Sequence, residues 1–219
     1  MLLTVDRLSK SYNGAPVLQS VSLSVDAGET VGLVGGSGRG KTTLARIVAG
    51  LEPADCGQVF FNGAVRSFPP NARTLKATRE AWRAVQMVFQ NPAASFADAM
   101  TIETAVAEGA RYIPGVSRTE ARARAREALD AVGLAPSCLR RHAFELSGGQ
   151  CQRAAIARAL VGNPKLIICD EATSALDATV QASMVQLLQK LQDERGLAYL
   201  FITHNRPLAA AFCHRTYQL

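Results

Sequence analysis

The stretch Gly35-Gly36-Ser37-Gly38-Arg39-Gly40-Lys41-Thr42 fits the pattern G-x-x-x-x-G-K-[ST], a loop whose chemistry is phosphate capture. Its glycines let the backbone curl until successive N–H groups aim at phosphate oxygens, and a helix opening at Lys41 adds roughly half a positive charge at its N-terminus. Lys41 can then reach the outer phosphates of a nucleoside triphosphate, and Thr42 a magnesium ion. A second group lies 129 residues further on, where the apolar run Leu166-Ile167-Ile168-Cys169 delivers two adjacent carboxylates, Asp170 and Glu171. Asp170 can hold magnesium through water, and Glu171 can orient or deprotonate an attacking water. A third group, Ser147-Gly148-Gly149-Gln150, joins a capping serine to two glycines that let other groups approach the backbone closely, which makes another anion site.

Elements must hold these groups in place. The apolar run Thr30 to Val34 reads as a strand leading into the glycines, and a helix from Lys41 to Ala49 ends at Gly50. Val21, Leu23 and Val25 alternate with polar residues as a half-buried strand does, and Asn62-Gly63 after Val59-Phe60-Phe61 signals a hairpin. Ser117 and Glu120 predict a capping box opening a helix with Ala121, Ala125, Ala128, Leu129 and Val132 on one face and Gly133 as its stop. Ser147 with Gln150 predicts a second box, at the head of a helix through Ile156 and Leu160 that ends near Gly162-Asn163-Pro164. Asp177 can cap a helix carrying Val180, Met184, Leu187, Leu188 and Leu191, with Gly196 closing it before a strand from Ala198 to Ile202. The pattern is α/β, a parallel-sheet core interrupted by a helical insertion.

Composition sets the bounds. The 219 residues suit one sizeable domain rather than two independent ones. With 48% hydrophobic and 19% charged residues and a mean hydropathy of +0.06, the chain is too apolar for disorder and too mixed for an integral membrane protein. Its apolar runs are strand-sized, far short of the ~20 residues that cross a bilayer. The first residues lack a secretory signal's pattern, so the expected location is cytosolic. Five cysteines without a C-x-x-C pair read as reduced thiols. Seven arginines between residues 111 and 141 carry much of the net charge of +6 and read as solvated helix surface. His142 and His214 have no ligand-like spacing and are expected at the surface.

Leu146-Ser147-Gly148-Gly149-Gln150, upstream of Asp170-Glu171, resembles the signature motif of ATP-binding cassette (ABC) ATPases. The resemblance covers nearly the whole chain: Tyr12 matches the A-loop aromatic, Gln90 the Q-loop glutamine, Ser174-Ala175-Leu176-Asp177 the D-loop and His204 the H-loop histidine. It implies a P-loop NTPase (RecA-like) α/β core with an N-terminal antiparallel β-subdomain and an inserted α-helical signature subdomain, the core being 1–90 and 163–219 and the insertion 91–162. It also implies ATP and Mg2+ as ligands. Gly35 through Thr43 would bind the phosphates, Tyr12 would stack on adenine, and Ser147, Gly148, Gly149 and Gln150 would engage the γ-phosphate held by a second subunit. Thr42, Gln90 and Asp170 would serve the metal, and Glu171, His204 and Gln90 the hydrolysis.

Phe89-Gln90-Asn91-Pro92-Ala93-Ala94-Ser95-Phe96 and the segment from Asp170 to Asp177 are most similar to the peptide, opine and nickel importer branch. The implied function is the ATPase subunit of an importer, peripheral on the cytoplasmic face of the cell membrane. It would pair with a second ABC subunit, identical or homologous, and drive transmembrane permease subunits that a solute-binding protein feeds; no nucleic acid is implied. The rival classes are a soluble ABC protein acting on nucleic acid or ribosomes, which usually carries fused cassettes or a long coiled-coil insertion, and a regulatory module with a dead nucleotide site. Three positions depart from the family pattern: Asn205-Arg206 stands where an acid usually follows the histidine, Cys151 follows the signature, and the sequence stops at Leu219. The usual closing strands after His204 are therefore expected to be absent or shortened.

Overall fold

A computed structural model describes residues 1–65, 82–173 and 176–219 of the chain. Two compact units emerge: one comprises Met1–Met87, Lys165–Glu171 and Arg195–Leu219, the other Val88–Pro164 and Ala172–Glu194.

The first unit carries two sheets. In the antiparallel one, β1 (Leu3–Tyr12) lies between β2 (Ala15–Val25) and β4 (Cys56–Phe61), and β4 turns into the short β5 (Ala64–Val65). Both hairpins turn on Asn-Gly. At Asn13-Gly14 φ is 51° and 80°, and at Asn62-Gly63 it is 51° and 74°, the double left-handed geometry that matches strand twist. The other sheet has the order β6-β7-β8-β3-β9, with β6 at Val85–Val88, β7 at Leu166–Asp170, β8 at Ala198–Thr203, β3 at Thr30–Val34 and β9 at Arg215–Gln218. β3, β7 and β8 are buried at every position, as strands covered on both faces must be.

Helix α1 (Lys41–Ala49) buries Leu44, Ile47 and Val48 in one apolar cluster with Leu3, Leu8 and Val25 of the antiparallel sheet and Leu33, Ile168 and Leu200 of the parallel one. Beyond His204 the chain forms the short α6 (Arg206–Phe212) and then β9, which pairs in parallel with β3. A strand thus closes the sheet after the histidine. Asn205 caps α6, its side-chain oxygen accepting from the Leu208 amide at 3.0 Å, which gives the asparagine a structural task where the family pattern has an acid.

The second unit is helical. α2 (Ile102–Arg111), α3 (Arg118–Ala131) and α4 (Gly148–Leu160) pack through Val106, Ala110, Ala121, Ala125, Ala154 and Ala157, small side chains that permit close approach. Ser117 accepts from the Glu120 amide at 3.1 Å, but the Glu120 carboxylate turns to Arg124 at 2.7 Å, so the predicted box at α3 is half made. The box at α4 is complete: Ser147 Oγ accepts from the Gln150 amide at 3.3 Å, and Gln150 Oε1 accepts from the Ser147 amide at 3.0 Å. Helix α5 (Ala178–Arg195) follows Asp177, whose carboxylate accepts from the Val180 amide at 2.9 Å. Arg153 reaches the Val132 carbonyl at 2.5 Å and the Ser183 hydroxyl at 2.9 Å, tying α3, α4 and α5 together. Among the described residues no helix is long and apolar enough to cross a membrane, and Cys56, Cys138, Cys151, Cys169 and Cys213 are free thiols.

Candidate functional site

Strands β3, β7 and β8 run in parallel, so their C-terminal ends deliver residues to one edge of the sheet, the edge where α/β folds place their ligands. β3 delivers the glycine loop. Gly38 and Gly40 have φ of +77° and +86°, which costs side-chain-bearing residues energy and glycine little. Gly40 is also crowded: a Cβ there would stand 2.8 Å from both the Val17 carbonyl oxygen and Leu18 Cδ2. Gly36, Ser37, Gly38 and Arg39 are exposed, while Gly35 and Gly40 are half-buried.

Lys41 opens α1 and is buried, 4% exposed. Its ammonium donates to the carbonyl oxygens of Gly35 at 3.0 Å and Gly36 at 2.8 Å, so the loop curls around the lysine. Thr42 donates to Asp170 Oδ1 at 3.2 Å. Asp170 ends β7 and is buried; burial pushes its carboxyl above the ordinary 3.8, and the Thr42 hydrogen bond opposes the shift in part. A buried carboxylate beside a hydroxyl is an oxygen pair suited to a hard dication that keeps part of its water shell, so the residues fit magnesium.

Glu171 takes a left-handed turn, with φ of 47°, and its amide donates to the Ile202 carbonyl at 3.0 Å. That bond ties the acid to β8. One carboxylate oxygen lies 3.8 Å from Lys41 Nζ and the other 3.6 Å from His204 Nδ1. His204, one residue past β8, is exposed. The structure thus gathers Lys41, Thr42, Asp170, Glu171 and His204 from three strand ends.

Tyr12 ends β1, and its hydroxyl donates to the Glu52 carboxylate. Glu52 has no sequence signal, because the loop after α1 meets β1 only through tertiary packing. Gln90 and the signature residues belong to the helical unit. Gln90 is exposed, two residues past β6, at the head of a segment that Arg158 of α4 holds by its Ser95 hydroxyl at 2.8 Å and its Phe96 ring at 4.5 Å. Ser147 and Gly148 are exposed at the N-terminus of α4, with Gly149 and Gln150 half-buried behind them. Ser174 and Ala175 of the D-loop match lie outside the described residues. His142, expected at the surface, is half-buried: its ring nitrogen Nδ1 lies 3.0 Å from the Asp98 carbonyl, and its amide donates to Glu145 at 2.6 Å.

Comparison with known proteins gives the same direction. The family model described as ABC transporter matches residues 18–174. The oligopeptide transport ATP-binding protein OppF of Escherichia coli K12 is 47% identical over 193 residues, covering 86% of this chain and 55% of OppF. The nickel import ATP-binding protein NikE of Escherichia coli O6:K15:H31 is 44% identical over 208 residues, covering 94% of this chain and 76% of NikE. Among solved structures, the dimeric post-hydrolysis state of the ATP-binding cassette MJ0796 bound to ADP and Pi superposes with a TM-score of 0.84 at 30% identity, covering 99% of this chain and 94% of that one. The chain spans little more than half the length of the peptide-importer relatives it matches.

Proposed function

We propose, from the premise that this chain belongs to the ABC transporter family, that it binds and hydrolyses ATP to power import of a solute of the peptide, opine or nickel class through separate membrane subunits. The observation that carries this reading is the convergence of Lys41, Thr42, Asp170 and Glu171, with Thr42 3.2 Å from Asp170 and Lys41 3.8 Å from Glu171. The solute class is supported by the names of the relatives, peptide and nickel import ATP-binding proteins.

Each residue then has a task. The backbone amides from Gly35 to Gly40 and the ammonium of Lys41 bind the triphosphate, which requires Lys41 to exchange its loop carbonyls for phosphate oxygens. Tyr12 stacks on the base. Thr42 and Asp170 would hold magnesium, with Gln90 contributing; when bound, the ion neutralises charge on the phosphates. Glu171 orients water and accepts its proton, and His204 donates to the terminal phosphate. Ser147, Gly148, Gly149 and Gln150, exposed or half-buried at a capped helix N-terminus, complete the phosphate cage of a second chain.

Two of the seven arginines between residues 111 and 141 are engaged by acids of the same unit. Arg124 is paired with Glu120 at 2.7 Å, and Arg126 with Glu103 at 2.6 Å. The test is magnesium-dependent phosphate release from ATP by the purified chain. Release is expected to fail in Asp170→Asn and to rise with co-purified membrane subunits; strong stimulation by DNA or RNA that fades with salt would replace the importer reading.

A further inference from the structure

Tyr12 sits at the end of β1, immediately before the Asn13-Gly14 turn. A phenol ring in that position can turn about its side-chain bonds, and two contacts stop it from doing so. Its hydroxyl donates to Glu52. The ammonium of Lys10 stands 5.6 Å from the ring centroid, within reach of a cation–π attraction. Lys10 is itself fixed by Asp55 at 2.9 Å, and the other Asp55 oxygen accepts the Ser11 amide at 2.7 Å. The residue nevertheless remains 42% exposed, so this fastening does not serve burial.

We propose that Glu52 is the positioning residue for Tyr12: it pins the hydroxyl end so that, with Lys10 against one face of the ring, the other face is presented to the base of a bound adenine nucleotide. The proposal rests on the reading that Tyr12 stacks on the base, and it adds the group that sets the ring's orientation. Two physical effects support it. A ring ordered before the ligand arrives does not lose side-chain freedom on binding. A phenol donating to a carboxylate also pushes electron density into its ring, which strengthens its pull on the Lys10 ammonium that holds one face.

The test measures binding of ATP and of inorganic tripolyphosphate to the full chain. The proteins compared are wild type, Tyr12→Ala, Tyr12→Phe, Glu52→Gln, Glu52→Ala and the Tyr12→Phe, Glu52→Ala double variant. Glu52→Ala is expected to weaken ATP binding about three- to tenfold and to leave tripolyphosphate binding unchanged, because the ring meets only the base. Glu52→Gln, which still accepts a hydrogen bond, recovers part of the loss. The double variant is expected to bind no more weakly than Tyr12→Phe, since both changes remove one bond. In turnover, KM rises while kcat holds. Wild-type ATP binding by Glu52→Ala alongside weakened binding by Tyr12→Ala would remove the role of Glu52 and leave the stacking intact. Additive losses, or an equal loss for tripolyphosphate, would overturn the proposal as general damage to α1. If Tyr12→Ala binds ATP as tightly as wild type, the stacking reading itself fails.

Discussion

One carboxylate oxygen of Glu171 lies 3.8 Å from the Lys41 ammonium, and the other 3.6 Å from Nδ1 of His204. The acid is therefore bracketed by two groups that a terminal phosphate would also attract. Glu171→Gln keeps the shape and hydrogen bonding of the side chain but is a poor proton acceptor. Phosphate release is expected to fall about a hundredfold or more while ATP still binds. Wild-type turnover by the glutamine variant, measured with its membrane partners, would remove Glu171 from the chemistry.

Lys41→Ala is expected to lose nucleotide binding and turnover together. The ammonium interacts with phosphate charge before and during reaction, so KM rises and kcat falls. Fluorescent-nucleotide titration alongside a phosphate-release assay separates this double loss from the turnover-only loss of Glu171→Gln.

A site shared between chains makes two inactive variants complementary. Mixing Lys41→Ala with Ser147→Arg gives a dimer in which one site collects both lesions and the other has an intact loop facing an intact signature. Some hydrolysis is expected to return on mixing. A site built within one chain predicts none at any mixing ratio, once mixed dimers are confirmed by differential tagging.

Two carboxyls give stability profiles of opposite slope. Burial raises Asp170 above its ordinary 3.8, so the folded chain holds that proton more readily than the unfolded one. The ionised form costs stability above the folded value, and the cost is relieved as pH falls through it. Asp170→Asn is accordingly expected to raise the melting temperature of the ligand-free chain near neutral pH while abolishing the extra stabilisation by ATP with magnesium. Arg215 holds Glu29 below its ordinary 4.5, so that stability is present above 4.5 and lost as pH falls through the folded value. Glu29→Gln should melt lower than wild type near neutral pH, and the gap should narrow in acid.

Gly38 and Gly40 separate backbone strain from crowding. A Cβ at Gly38 meets nothing within 4 Å, whereas at Gly40 it would stand 2.8 Å from a backbone oxygen. Gly38→Ala should cost about 1–2 kcal/mol for the left-handed backbone. Gly40→Ala should cost about 2–5 kcal/mol, because the Val17 carbonyl has to move as well. Urea denaturation of the two variants reads the difference directly.

Features bonded within three or four residues were legible from the sequence. The reciprocal box of Ser147 and Gln150, the Asp177 cap and the Asn62-Gly63 turn all close locally, so the types and spacing of neighbours suffice. The same spacing at Ser117 and Glu120 misleads, because an arginine one helical turn on draws the acid away. The Asn13-Gly14 hairpin carries the same local Asn-Gly signal as Asn62-Gly63. Glu52 on Tyr12 and β9 against β3 are different in kind. They join residues 40 apart or from opposite ends of the sequence, and no local pattern records which loop a fold will bring beside which strand.

The position of β3 has a consequence for synthesis. The strand that carries the phosphate loop is flanked on both sides by β8 and β9, from residues 198 to 203 and 215 to 218. A ribosome adding about 5–20 residues per second finishes those flanks on the order of ten seconds after the loop itself. During that interval the loop exists without its sheet, and the Glu171 amide lacks the Ile202 carbonyl that ties it to β8. On this topology nucleotide meets a complete loop-bearing sheet only after β8 and β9 have emerged. ATP added to a translating extract should therefore protect released chains from protease and leave stalled chains that end before β8 as vulnerable as they are without it.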